Sequence, residues 1–211
     1  MKKIVIADHH PVTLQGISCM LENKTDEFSI LAKANNGEEL YQSLQDHNPD
    51  ILIMEIDMPQ INGINALRSI KESFPQTRVL IFSTHPEEIY ALRSIKSGAA
   101  GYVPKTASTQ VFIDALSKIA KGGIFLNEDL TSTFTSRNVG ESSAISRYKK
   151  LSSREIEVLN LLSRGKRNKD IANALNINEK TVSTYKTRLL KKLKVDNLAD
   201  LIHQSRMFQF G

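Results

Sequence analysis

The sequence predicts two folds in one chain: an α/β, doubly wound five-stranded parallel sheet, then an all-α helix-turn-helix domain. Three observations carry that prediction. The first 125 residues alternate short apolar runs with amphipathic helical stretches, five times over. From Leu151 to Leu201 the apolar residues recur at helical spacing. Charge is also split along the chain: fourteen Lys/Arg face six Asp/Glu from Lys149 onward, while the first 148 residues hold fourteen against seventeen. A basic module tethered to a slightly acidic one suits a nucleic-acid binder with a separate control domain.

At 211 residues, 40% of them apolar, the chain can build two cores of ordinary size. The expected division is 1–124 for the sheet domain, 125–148 for a linker and 149–211 for the helical domain. No apolar run reaches the length of a membrane span. The opening Met1-Lys2-Lys3-Ile4-Val5-Ile6 is too short for a signal's apolar core and reads as a strand, so a cytoplasmic protein without membrane contact is expected. Cys19, the single cysteine, excludes an internal disulfide. It is expected to be a buried core thiol on the apolar side of its helix.

In order, the strands are expected at Lys3–Ala7, Ser29–Ala34, Ile51–Met54, Val79–Ser83 and Gly101–Val103. The helices between and after them are expected at Pro11–Glu22, Glu38–Asp46, Ile64–Phe74, Glu87–Ser97 and Thr109–Ala120. In a parallel sheet covered on both faces, chemistry collects beyond the carboxyl ends of the strands. Those ends carry Asp8 and His9, then Glu55, then Ser83, then Pro104-Lys105.

The stretches Ile6-Ala7-Asp8-His9-His10-Pro11, Asp50 through Pro59 with Asn62-Gly63, Phe82-Ser83, and Gly98 through Lys105 span nearly this whole half. They resemble the receiver domain of response regulators, a flavodoxin-like fold, in the NarL/FixJ subgroup. In that family two acids on the first strand help bind Mg²⁺, and an Asp ending the third strand accepts a phosphoryl group. A Ser/Thr and a Lys then hold the phosphate oxygens. Asp8, Ser83 and Lys105 match these positions. Two others do not: His9 stands at the second metal-binding acid, and Glu55 at the acceptor. Asp57 does not replace the acceptor, because the family places it four residues before Pro59, at Glu55. Asp57 reads as a loop residue.

Both departures oppose phosphoryl transfer. Mg²⁺ wants oxygen ligands in near-octahedral order, and imidazole suits softer metals. Glu55 reaches about 1.5 Å further than Asp would, into the space of the metal or the phosphoryl group. A carboxylate there can still pair with Lys105, an incomplete imitation of a phosphate's nearly two charges and three acceptor oxygens. The expectation is an atypical receiver, not switched by aspartyl phosphorylation and held by a Glu55–Lys105 pair. Drift, a built-in mimic and an engineered change each account for Glu55. No cofactor is expected, with Mg²⁺ binding weakened or lost. No dedicated transition-metal site is expected at His9-His10, since neighbouring residues at a strand end point apart. His10 is read as part of the helix start. Tyr102 occupies the family's switch aromatic position, which with Ser83 couples the acceptor site to the surface. A packed ring with its hydroxyl exposed is the plainer reading.

The segment Asn127 to Lys150 is rich in Ser and Thr, contains Gly140, and reads as a flexible tether. A short helix is expected near Glu128–Phe134.

In the last third, Ile156, Leu159 and Leu162 form one apolar stripe, and Ile171, Ala172 and Leu175 another after Gly165. Val182, Tyr185, Leu189 and Leu193 form a third. The polar turn Asn176-Ile177-Asn178 makes the last two a helix-turn-helix. Opposite the third stripe lie Lys180, Thr184, Thr187, Lys191 and Lys194, with Ser183 at the edge: cations and hydroxyls without an acid. A solvated face usually mixes both signs, whereas a major-groove helix does not.

Leu151 through Leu159, Gly165, Asn168 through Ala172, Leu175, Thr181-Val182 and Lys192 through Val195 resemble the LuxR-type DNA-binding domain. Tyr185 stands where His is common and Asn197 where Arg is common. The resemblance implies that Lys180 to Lys194 is the recognition helix. Ser183, Thr184 and Thr187 then face base edges with little selectivity. Lys169, Thr181, Lys186, Arg188 and Lys191 are placed for phosphates. In the last helix, Asn197–Phe208, the resemblance makes Leu198, Leu201 and Ile202 a dimer contact, with intradomain packing as the alternative. The partners implied are double-stranded DNA with paired half-sites, a second copy of the chain at least on DNA, and a sensor kinase if the input survives.

The leading function is therefore a sequence-specific transcriptional regulator. A conventional phosphorelay switch and a protein-interaction module with vestigial DNA binding are its rivals. An enzyme is not expected, because no Gly-rich phosphate loop, zinc spacing or nucleophile elbow appears.

Overall fold

The computed structural model describes residues 1–61, 63–127, 147–148 and 150–207. The chain divides into two compact units, Met1–Thr131 and Ser132–Gly211.

In the first unit the apolar runs become strands where β-branched residues bury on both faces, and the amphipathic stretches become the helices covering them. The order is β1 (Lys2–Ala7), α1 (Pro11–Glu22), β2 (Phe28–Ala34), α2 (Gly37–His47), β3 (Ile51–Met54) and α3 (Gly63–Ser73). It continues with β4 (Arg78–Ser83), α4 (Glu87–Lys96), β5 (Gly101–Pro104) and α5 (Thr109–Ala120). All pairings are parallel and the strand order is β2-β1-β3-β4-β5. Ile4, Ile6, Ile51, Ile53, Leu80 and Phe82 form one core with Leu14 and Ile17 of α1 and Phe112 and Leu116 of α5. Val5, Leu52, Val79 and Ile81 alternate with them and are equally buried, so the sheet is covered on both faces. Phe112 packs against Phe82 with ring centroids 5.0 Å apart, and its truncation to Ala belongs to the class that costs about 3–5 kcal/mol.

The strand order reverses direction between β1 and β3, and that switch point opens a crevice at the carboxyl ends. Backbone bonds carry the register past the strand tips: Glu55 N–H donates to the Ala7 carbonyl at 2.9 Å, and Lys105 N–H to the Ser83 carbonyl at 2.8 Å. The side chains following β1, β3, β4 and β5 are thereby delivered to one place.

Cys19 corrects its expectation: it is exposed. Leu14, Ile17 and Leu21 set the buried face of α1, and Cys19 lies two residues past Ile17, roughly 200° around the helix. Phe125, where the tether was expected to begin, still exchanges backbone hydrogen bonds with Ala100 and Tyr102. The short helix expected at Glu128–Phe134 lies outside the described residues.

The second unit contains α6 (Ser153–Ser163), α7 (Asn168–Leu175), α8 (Glu179–Leu193) and α9 (Leu198–Met207). Its core joins Ile156, Leu159, Leu162, Ile171, Leu175, Val182, Leu189, Leu193 and Leu201, all buried. A capping box opens α6: Ser152 Oγ accepts from Glu155 N–H at 3.2 Å, and Ser152 N–H donates to Glu155 Oε2 at 2.7 Å. Gly165, at φ +72°, follows the end of α6 in a conformation that favours glycine. Asn176 ends α7 at φ +51°, and Asn178 caps α8 by accepting from Thr181 N–H at 2.8 Å. Two asparagines thus set both sides of the helix-turn-helix bend. Among the described residues no helix is long and apolar enough to cross a membrane.

Candidate functional sites: an acidic pocket and a basic recognition helix

Asp8, Glu55, Ser83 and Lys105 converge at the switch point. Glu55 is 1% exposed, a costly burial for a carboxylate unless its oxygens are paired. Both are. One oxygen, Oε1, accepts from Ile56 N–H at 2.7 Å, from Asp57 N–H at 3.3 Å and from the Ser83 hydroxyl in a short hydrogen bond. The other, Oε2, accepts from Thr84 N–H at 3.2 Å and pairs with Lys105 Nζ at 3.0 Å. The expected Glu55–Lys105 pair is present, and Lys105 also holds Asp8 Oδ2 at 2.5 Å. The ammonium therefore bridges two buried carboxylates. Asp57 contributes its backbone amide to the site.

Tyr102 is buried, and its hydroxyl donates to the His85 carbonyl at 2.6 Å. The reading with an exposed hydroxyl is thereby corrected: the ring is too deep to reach water, and the carbonyl replaces it. Burial pushes the Tyr102 phenol well above its ordinary range. His85 itself is buried, stacks on Tyr90 at 4.5 Å, and donates its backbone N–H to Ser83 Oγ at 3.2 Å. Burial lowers its pKa first; Glu55 pulls it back up and Lys105 presses it down again. A continuous path thus runs from Glu55 through Ser83 and His85 to Tyr102.

The His9 and His10 rings do not point apart. Their centroids are 3.8 Å from one another at an interplanar angle of 43°. The pleat alternation that separates neighbours ends with β1 at Ala7, so it does not govern positions 9 and 10. His10 precedes α1 without a side-chain cap bond, and its Nδ1 lies 3.0 Å from Asp8 Oδ1.

In the second unit the sequence-selected face of α8 is open. Lys180, Ser183, Thr184, Thr187, Arg188 and Lys191 are exposed, as is Lys169 on α7. Thr181 and Lys186 are half-buried, and Val182, Leu189 and Leu193 face inward. The hydroxyls of Ser183, Thr184 and Thr187 donate to the carbonyls of Glu179, Lys180 and Ser183. Lys186 Nζ reaches Asn168 Oδ1 at 3.4 Å, and Asn168 donates to Ser183 Oγ at 3.2 Å, tying α7 to α8. Of the three residues assigned to a dimer contact, Leu201 is fully buried within its own unit, while Leu198 is exposed and Ile202 half-buried. For Leu201 the intradomain alternative holds.

Residues 4–117 match the response regulator receiver domain, and residues 149–205 match the bacterial regulatory proteins of the luxR family. The oxygen regulatory protein NreC of Staphylococcus epidermidis is 36% identical over 207 residues, covering 95% of this chain and 94% of that one. The chain belongs to the NarL/FixJ-type response regulators. Among solved structures, RcsB of Salmonella typhimurium superposes with a TM-score of 0.81 at 25% identity over 98% of each chain. RcsB of Salmonella enterica serovar Typhimurium, bound to a promoter in the presence of the phosphomimetic BeF₃⁻, gives 0.79 at 26% identity over 96% and 97%. This family consists of DNA-binding transcription regulators rather than enzymes.

In this response regulator several working residues escaped the sequence reading. Thr84 and Ile56 contribute backbone amides, which carry no side-chain signature. Glu155 was quoted only within a motif, yet its buried carboxylate accepts from Lys192 Nζ at 2.7 Å and anchors α8 to the start of α6. Burial pushes the Glu155 carboxyl up, but the hydrogen bonds from Lys192 and Ser152 outweigh it and hold the pKa below the usual range. The signal was present: Ser152-x-x-Glu155 has capping-box spacing.

Proposed function

We propose that this response regulator binds DNA without needing aspartyl phosphorylation, because Glu55 fills the place of the phosphoryl group. The observation that carries this reading is the carboxylate's company. Its oxygens engage the Ser83 hydroxyl, the Thr84 amide and the Lys105 ammonium, and the family uses the Ser/Thr and Lys positions to hold phosphate oxygens. A carboxylate so satisfied is a poor nucleophile and blocks an incoming phosphoryl group. The buried Tyr102, bonded to His85 whose amide meets Ser83, keeps the coupling elements drawn inward. Mg²⁺ does not fit the pocket. Glu55 has both oxygens committed, His9 supplies nitrogen instead of oxygen, and the Lys105 ammonium lies between the carboxylates a cation would share.

DNA binding is assigned to α8. Lys169, Thr181, Lys186, Arg188 and Lys191 supply salt-sensitive phosphate affinity. Lys180, Ser183, Thr184 and Thr187 face the groove and read bases with modest selectivity. Two copies on paired half-sites make up for the few base contacts of one module. Such a target is met in the cytoplasm.

The test is incubation of the full chain with a small phosphodonor and Mg²⁺, followed by intact-mass measurement and a gel shift. No phosphoryl adduct and an unchanged DNA affinity are expected. The double variant H9D/E55D, which restores both acids, is expected to regain a Mg²⁺-dependent adduct. A stable adduct on the unaltered protein would refute the proposal.

A further inference from the structure

We infer that Asp8, His9 and His10 form a binding site for a divalent transition-metal ion of the zinc class, in place of the magnesium site that His9 disrupts. One ligand atom from each of the three lies within 4.8 Å of the other two. Around a four-coordinate zinc with bonds of about 2.0–2.1 Å, neighbouring ligand atoms sit roughly 3.3 Å apart. Asp8 Oδ1 and His10 Nδ1 are already at 3.0 Å, so only one imidazole has to move, by about 1.5 Å. The His10 side chain is 53% exposed and Asp8 2%, which leaves the entry open on the histidine side and the carboxylate fixed beneath.

Two further observations fit a metal. His9 Nδ1 is buried without a hydrogen-bond partner, and buried polar atoms in folded proteins are rarely left unsatisfied. Lys105 engages Asp8 through Oδ2, while Oδ1 accepts the His10 amide at 2.8 Å and faces the imidazoles. The ammonium can therefore keep its oxygen while a metal takes the other. Two nitrogens and one oxygen suit zinc, nickel, cobalt or copper, and three protein ligands leave a fourth position for water. Magnesium would find one oxygen among them.

The experiment uses the chelator-stripped full-length protein, titrated calorimetrically with ZnCl₂ and, separately, MgCl₂. Co²⁺ addition is followed by its visible absorption as a report on coordination. One zinc per chain is expected, with no saturable magnesium binding. H9A and H10A are each expected to weaken zinc by on the order of tenfold or more, at least the loss seen when outer-shell partners are removed. Circular dichroism checks that both variants are folded. H9D is expected to weaken zinc and strengthen magnesium, and H47A, away from the cluster, to change neither. Zinc binding that survives H9A and H10A, or none in the unaltered protein, would overturn the site. Neither result bears on phosphorylation, which is read by mass on the zinc-free chain incubated with the phosphodonor and Mg²⁺.

Discussion

Lys105 stands between Asp8 and Glu55, each within ion-pair distance and each almost fully buried, with the Lys105 side chain itself 12% exposed. Removing it leaves two carboxylates out of water without their cation. Breaking a buried pair from one side costs about 3–5 kcal/mol, so Lys105→Ala is expected to lower the unfolding free energy of the sheet unit by that order in a urea titration. A loss under about 1 kcal/mol would mean that the carboxylates are solvated. A second residue sets a pH dependence. His85 has its pKa lowered by burial, so the unfolded chain binds its proton more readily than the folded one. Its contribution to stability is full above about pH 6.5 and is lost as pH falls from there through the lowered folded value. The melting temperature of the sheet unit is expected to drop over that window, and less so in His85→Gln; an identical slope in the variant would show a ring protonated in the folded state. At this scale the sequence was legible where spacing fixes position: Glu55 and Lys105 follow from strand ends and the Pro59 offset. It was silent where tertiary contact decides. The Thr84 amide has no side-chain mark, and the His9–His10 convergence depends on the chain leaving the pleat at Ala7.

Elements were read most surely where burial is continuous. β3, α1 and α5 have the expected boundaries, and each of the other strands gains one residue at one end, where the backbone pairing continues. The face of a helix is harder to read than its extent. Cys19 and Leu201 both differ from the expectation: Cys19 lies opposite the buried face of α1 and meets solvent, and Leu201 is buried in the core of its own unit. The outer face of α8 is exposed and carries no acid between Lys180 and Lys191. That composition makes a prediction for the element. Lys191 is exposed in the last turn of α8, one turn beyond Thr187 on the same face, and a cation at that end of the helix is assigned to phosphate rather than to a base edge. Lys191→Ala is expected to weaken binding to every duplex by a similar factor and to reduce the salt slope by about 1. A shift in sequence preference measured across a panel of duplexes would instead place it on a base.

At the scale of the whole molecule a parallel sheet covered on both faces follows from five strand–helix alternations, because parallel connections have few topologies. The number of chains that act together is not encoded in any such alternation. The argument for two rests on supply and demand at the groove. One α8 offers three hydroxyl-bearing residues to base edges, each of low selectivity, and a neutral-salt affinity built from phosphates alone cannot single out one site among many. Leu198 is exposed at the start of α9, whereas Leu201 is buried inside the unit, so of these two the proposed pairing would use Leu198. A pair joined there presents its two recognition helices at one separation, about one helical turn of DNA. Inserting about five base pairs between half-sites turns one of them to the far side of the duplex. Affinity is then expected to fall about a hundredfold or more, to the level of a single half-site. Leu198→Asp is expected to reach that same level on the unaltered operator while leaving single half-site binding as it was. Titration of fluorescent duplexes of both spacings against both proteins decides the matter: equal affinity at every spacing would mean that the units bind DNA independently.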